Sequence, residues 1–289
     1  MAVAPGRADR ADGPMTAPPA LLVPVLLGGL LYTAAAARLR RRGDRWPWGR
    51  QAAFWAGGGL LVAAYAVPWG AWLPPFTAHT AAHLTAGMAA PLPVVLARPV
   101  TLALRALPVP GRRALLALAR SRPAAALVLP PIAATLDIGG LWLLYRAPLP
   151  PAVHHSPLLY AHLFASGTLF TFSLLALDPV RRRPGLALRA GTLLAAAAAH
   201  AVLAKSLWAT GPPGLRYAPG DLHLASQLMY YGGDAAEIAL ALVVAAQWYR
   251  ARGRRLARRA TPRPARGAPA HEGVPGCGPT GPRQQEAAR

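Results

Sequence analysis

The chain has 289 residues, 54% of them hydrophobic, a mean hydropathy of +0.30 and only 10 acidic side chains, which reads as an integral membrane protein and excludes a soluble domain built on one aqueous core. Its net charge of +21 does not point to nucleic acid, because the arginines fall in short clusters between apolar runs and no recognition motif accompanies them. The single cysteine, Cys277, sits in a polar tail, which excludes a disulfide framework and leaves any metal chemistry to histidine, methionine and carboxylate.

The first nineteen residues make a poor signal peptide: Asp9 and Asp12 dilute the charge, and no cleavage site follows the apolar run near Leu21. That run therefore reads as a retained first span. With it, seven apolar segments can be cut in order, at 19–37, 51–68, 77–97, 124–145, 157–177, 189–208 and 222–248, each near the roughly 20 residues that a bilayer core requires. Arginines crowd alternate loops: Arg38 to Arg50, Arg98 to Arg122, Arg181 to Arg189, and the tail from Arg250 onward. The intervening loops are almost bare, with Arg146 and Arg216 alone in theirs.

The expected fold class is thus all-α, a polytopic bundle of seven transmembrane helices in the cell (plasma) membrane. The positive-inside rule puts its N-terminus outside and its C-terminus in the cytoplasm. Residues 1–18 form an N-terminal tail and 19–248 the transmembrane domain. Residues 249–289 read as a disordered basic cytoplasmic tail whose start lies against anionic headgroups. Trp46, Trp48, Trp69, Trp72, Trp142, Trp208 and Trp248 fall near span ends, as an aromatic belt does. No internal repeat supports an inverted-repeat transporter.

On this topology the histidines gather on the outer side. His79 and His83 share one face of the third span at i and i+4, His154 and His155 lie in the loop after the fourth, and His162, His200 and His223 occupy the outer parts of the last three. Asp137 joins them, roughly 12 Å deep at about 1.5 Å per residue. In the seventh span His223, Gln227, Tyr230, Asp234 and Glu237 follow offsets of 0, 4, 7, 11 and 14, within an arc of about 80°. This stripe is expected to face the bundle interior or a wet cavity, because lipid solvates no carboxylate.

The histidines admit two readings. Imidazoles at a wet interface can be hydrogen-bonded to neighbouring helices, or they can converge from several helices as metal or haem ligands. Asp137, Asp234 and Glu237 would also suit a proton or metal transporter. A bis-histidine haem would give a strong Soret band, and a transporter would give flux into proteoliposomes.

With these residues in view, the chain resembles the CtaG family of cytochrome c oxidase assembly factors associated with caa-type oxidases. The likeness covers roughly residues 50–250. It rests on Phe76-Thr-Ala-His79-Thr-Ala-Ala-His83-Leu running into Met88-Ala-Ala-Pro91 and Arg98-Pro99, on His162-Leu-Phe-Ala-Ser-Gly-Thr-Leu-Phe170 closing with Asp178-Pro179, on His200 with Lys205, and on Asp221 through Gln227-Leu-Met-Tyr-Tyr-Gly-Gly-Asp234-Ala-Ala-Glu237. Family members often carry glutamine before the second histidine, where this chain has Ala82.

The resemblance implies a non-enzymatic factor that assists copper delivery or insertion at the outer face and docks on a haem–copper oxidase subunit. The ligands expected for that copper are His79, His83, His162, His200 and His223, and imidazole suits copper. Met88 and Met229 are the only soft donors nearby, so the oxidation state stays open.

Overall fold

The structure, a computed structural model, describes residues 19–150, 153, 156–179 and 183–260. Among the described residues every regular element is helical. The tail beyond residue 260, Cys277 within it, and His154 and His155 lie outside them.

Helix α1 (Pro19–Arg41) and helix α2 (Trp48–Ala66) pack side by side. A short 3₁₀ turn, Trp69–Ala71, leads to α3 (Pro75–Leu84), which widens into a π-helical turn at Thr85–Ala89 and continues as α4 (Pro91–Leu96). The π turn is closed by Ala90 N donating to Thr85 O at 2.9 Å. Its cause is Pro91, which has no N–H to give Gly87 O and would press its ring on that carbonyl. Arg98, at φ 55, then bends the chain by 41° into α5 (Pro99–Ala106).

Helices α6 (Val109–Arg120) and α7 (Arg122–Leu127) bury no residue. Helix α8 (Pro130–Arg146), α9 (Pro157–Leu175), α10 (Leu186–Thr210) and α11 (Pro219–Ala260) follow among the described residues. The segment expected as one span at 124–145 is therefore broken at Pro130 and Pro131, each of which removes a helix donor. The chain separates into two units, the first ending at Trp248 and the second beginning at Tyr249. In the second, the described residues are helical turns up to Ala260.

Four helices, α1, α9, α10 and α11, are long and apolar enough to cross a membrane, and the bent pair of α3–α4 with α5 makes a fifth if taken as one span. Helix α8 is only 17 residues long, and α2 carries Arg50 and Gln51 in its first turn.

Three apolar clusters hold the first unit together. One, around Phe76, Tyr145, Leu163, Leu203 and Met229, surrounds the histidine-bearing end. A second joins Val95, Phe170, Leu174, Leu193 and Leu240. A third seats Tyr32, Leu39 and Trp46 beside Ala97 and Leu102; there Tyr32 donates to Ala97 O at 2.8 Å and accepts from Trp46 Nε1 at 3.2 Å.

Candidate functional site

Helix α3 carries the two histidines, and its start is held from a distance. Asp221, in the first turn of α11, accepts from Phe76 N at 2.9 Å, from Thr77 N at 2.8 Å and from Thr77 Oγ1 at 2.7 Å. A helix N-terminus presents unpaired N–H groups and positive potential, and Pro74 at its N-cap offers no side-chain acceptor. The carboxylate of α11 supplies what α3 lacks, across 145 positions of sequence. Tyr217 stacks on Phe76 with ring centroids 4.7 Å apart; burial, and the nearby Asp221 carboxylate, push its hydroxyl above the usual phenol range.

One turn further, each histidine meets a tyrosine. His83, 1% exposed, has Nδ1 3.0 Å from the hydroxyl of the fully buried Tyr145 of α8. The rings of this pair lie 18° from parallel with centroids 5.7 Å apart. His79 is half-buried, with Nδ1 3.4 Å from the Tyr160 hydroxyl of α9. With Nδ1 of His83 engaged, Nε2 is the nitrogen that remains for another bond.

His200 of α10 is equally buried. Its Nδ1 lies 3.5 Å from Glu237 Oε1 on α11, and its Nε2 is enclosed without a hydrogen-bond partner among the described residues. The ring sits directly over Gly233, where any Cβ would overlap it. His79 and His200 are near enough to His83 for a charge on either to act on it, and Asp137 and Asp234 stand in the same relation to Glu237. Asp137 accepts from Ser166 Oγ of α9 at 2.9 Å. A polar layer thus runs through the bundle from α3 across α8, α9 and α10 to α11.

The other expected residues sit elsewhere. His162 is exposed, its ring lying against Gly140 of α8. His223 is exposed and stacks on Trp208 with centroids 4.0 Å apart. The stripe expected to face inward together is split: His223 and Gln227 are exposed, Tyr230 and Asp234 are intermediate, and Glu237 is buried. The inward face of α11 is instead Ser226, Met229, Gly233, Glu237 and Leu240. Gly233 is the reason: it lets α11 close onto the His200 ring, and that contact rotates the larger polar residues to the flank. Among the described residues no group of three or more His, Cys, Asp or Glu side chains converges on a point that could hold a metal ion.

Sequence reasoning missed Tyr145, Tyr160, Ser166 and the capping function of Asp221. One signal for the last was present. Both α3 and α5 open with Pro-x-Thr, Pro75-Phe76-Thr77 and Pro99-Val100-Thr101, and Asp178 caps α5 through Thr101 N at 2.8 Å, and through Thr101 Oγ1 as well, in the way Asp221 caps α3.

The family model described as cytochrome c oxidase caa3 assembly factor (Caa3_CtaG) matches residues 30–251. The chain belongs to the CtaG family. The match takes in every helix of the polar layer and ends within α11, and the family's members are assembly factors of cytochrome c oxidase. With its several apolar helices, this CtaG chain is a multi-pass membrane protein.

It is also similar to uncharacterized proteins of Mycobacterium bovis and Mycobacterium tuberculosis, 31% identical over 254 residues and 79% of this chain in each case. A similar protein of Mycobacterium leprae is 29% identical over 248 residues and 77% of the chain. The CtaG chain spans only 37–38% of the length of these relatives. No solved structure matches it.

Proposed function

We propose that this chain assists maturation of a haem–copper oxidase by passing copper through the histidine-bearing end of its bundle, with no catalytic step of its own. The reading is carried by the buried Nε2 of His200, which lacks a hydrogen-bond partner among the described residues, in the same bundle as the His79–His83 pair. A buried polar nitrogen without a hydrogen bond is unfavourable and rare, and imidazole is a good copper ligand. Because His79, His83 and His200 do not converge on one point among the described residues, copper would be held by one or two of them at a time, as exchangeable cargo. His162 and His223, exposed at their own places, would act as outlying contacts for the ion and not as members of that set.

The same proposal sets all seven apolar segments across the plasma membrane, with the His79 end outside and the arginine-rich loops in the cytoplasm. The alternation of those arginines supports it. The partners are the lipid bilayer and an oxidase subunit.

Copper content after purification in mild detergent tests the ligand assignment. The expected result is bound copper in the unaltered protein, and loss of most of it when His79 and His83 are both changed to alanine. A double variant that keeps its copper removes the assignment.

A further inference from the structure

On the flank of the first unit, α10 and α11 leave an open groove of about 600 Å³ whose lining is apolar except for two carboxylates, Asp234 and Glu237. Leu194 and Ile238, on its lining, are 72% and 59% exposed. Asp234 lies 15 residues after Pro219 and 14 before Trp248, about 22 and 21 Å along the helix at about 1.5 Å per residue. It is therefore near mid-depth of any bilayer that α11 crosses. Glu237 has His200 beside it. Asp234 makes no hydrogen bond or ion pair with any described residue.

A carboxylate at that depth is strongly unfavourable unless a donor or cation meets it. Among the described residues no hydrogen bond or ion pair supplies one; the His200 imidazole feels Asp234 electrostatically but stands beside Glu237. Lys205 stands over the Tyr230 ring, 5.3 Å from its centroid, and Arg189 is engaged by the Leu174 and Leu175 carbonyls and by Gln247 Oε1 at 2.8 Å.

We propose that this groove docks a transmembrane helix of a partner protein that carries one basic side chain, lysine or arginine, at mid-depth. The proposal rests on the assembly-factor reading above and gives it an intramembrane docking surface. The apolar walls offer van der Waals packing. Ala190 and Ala197 on one side, with Ala241 and Ala245 on the other, let a second backbone approach closely. A lipid chain would fill the walls and leave Asp234 facing hydrocarbon. A second copy of this chain joined about a two-fold axis through the groove would set carboxylate against carboxylate.

The full-length chain, labelled with a fluorophore at Cys277 and reconstituted in nanodiscs of mixed zwitterionic and anionic phospholipid, can be titrated with two synthetic Leu/Ala helices of about 25 residues. One bears a central lysine and the other leucine at the same place. Energy transfer from the lysine helix alone is expected, weakened about tenfold by Asp234→Asn and abolished by Ala241→Trp, which fills the groove and leaves both carboxylates in place. If Asp234→Asn does not fold, Ala241→Trp decides. The His79→Ala, His83→Ala variant should bind the lysine helix as the unaltered protein does, so this result stands apart from the copper measurement. Equal binding of the two helices overturns the proposal. So does binding indifferent to these groove substitutions, a phospholipid retained in the groove against the peptide, or transfer between copies that depends on Asp234.

Discussion

Gly233 and His200 show how one missing methyl group sets the site. The ring occupies the space where a Cβ of residue 233 would be, so Gly233→Ala forces two packed helices apart or the ring out of its well. A cost of about 1–3 kcal/mol is expected, as for overpacking in a close-packed interior. Thermal unfolding in detergent should show a lowered midpoint, and the double change Gly233→Ala, His200→Ala should recover much of it, because the two sites are coupled by contact. If alanine at 233 leaves the midpoint unaltered, the ring is not where it is described. Gly167 of α9 poses the same test against backbone: its Cβ would overlap Gly87 O, a carbonyl to which Pro91 has no N–H to donate. Gly167→Ala should cost more than Gly233→Ala, since a carbonyl in a packed turn cannot rotate away as a side chain can.

Among the elements, charged residues distant in sequence finish the helix ends. Asp221 caps the start of α3, and Asp178 that of α5. Arg146 ties the end of α8 to the end of α10 through Ser206 Oγ at 3.1 Å, Thr210 Oγ1 at 3.0 Å and Gly211 O at 2.9 Å, and Arg189 closes α9 through the Leu174 carbonyl. Anions at N-termini and cations at C-termini follow the helix dipole. Asp221→Ala is expected to destabilise the protein by about 1–2 kcal/mol or more, from a lost cap and newly unsatisfied buried donors. Hydrogen exchange should accelerate first at Phe76 and Thr77, then along α3; unchanged protection there would show that the cap carries no stability. The copper proposal adds a dependence, because α3 positions His79 and His83: the same variant should bind copper less well even at temperatures where it remains folded.

For the whole molecule the topology can be read by labelling. With Cys277 replaced by serine, Ala71→Cys, exposed between α2 and α3, should react with a membrane-impermeant maleimide in intact cells. Ala114→Cys, exposed on α6 in an arginine-rich loop, should react only after permeabilisation. The reverse pattern inverts the orientation proposed here.

Helical class, the order of apolar segments, the arginine alternation and the i, i+4 histidine pair were all legible before any coordinates, because they depend on composition and local spacing. The broken fourth segment was half-legible, since Pro130 and Pro131 stand in plain view, while the π turn before Pro91 required knowing which carbonyl the proline would strand. The inward face of α11 and the exposure of His162 were not legible. In water, apolarity marks the inside of a helix; in lipid it does not, because hydrocarbon is as apolar as the core. The sequence by itself therefore determined that this is an all-helical membrane protein with a histidine pair near one end of its third apolar run. Only the tertiary structure decided which polar groups meet: small residues such as Gly233 and Gly167 choose the faces by letting particular helices touch, and those contacts join residues far apart along the chain.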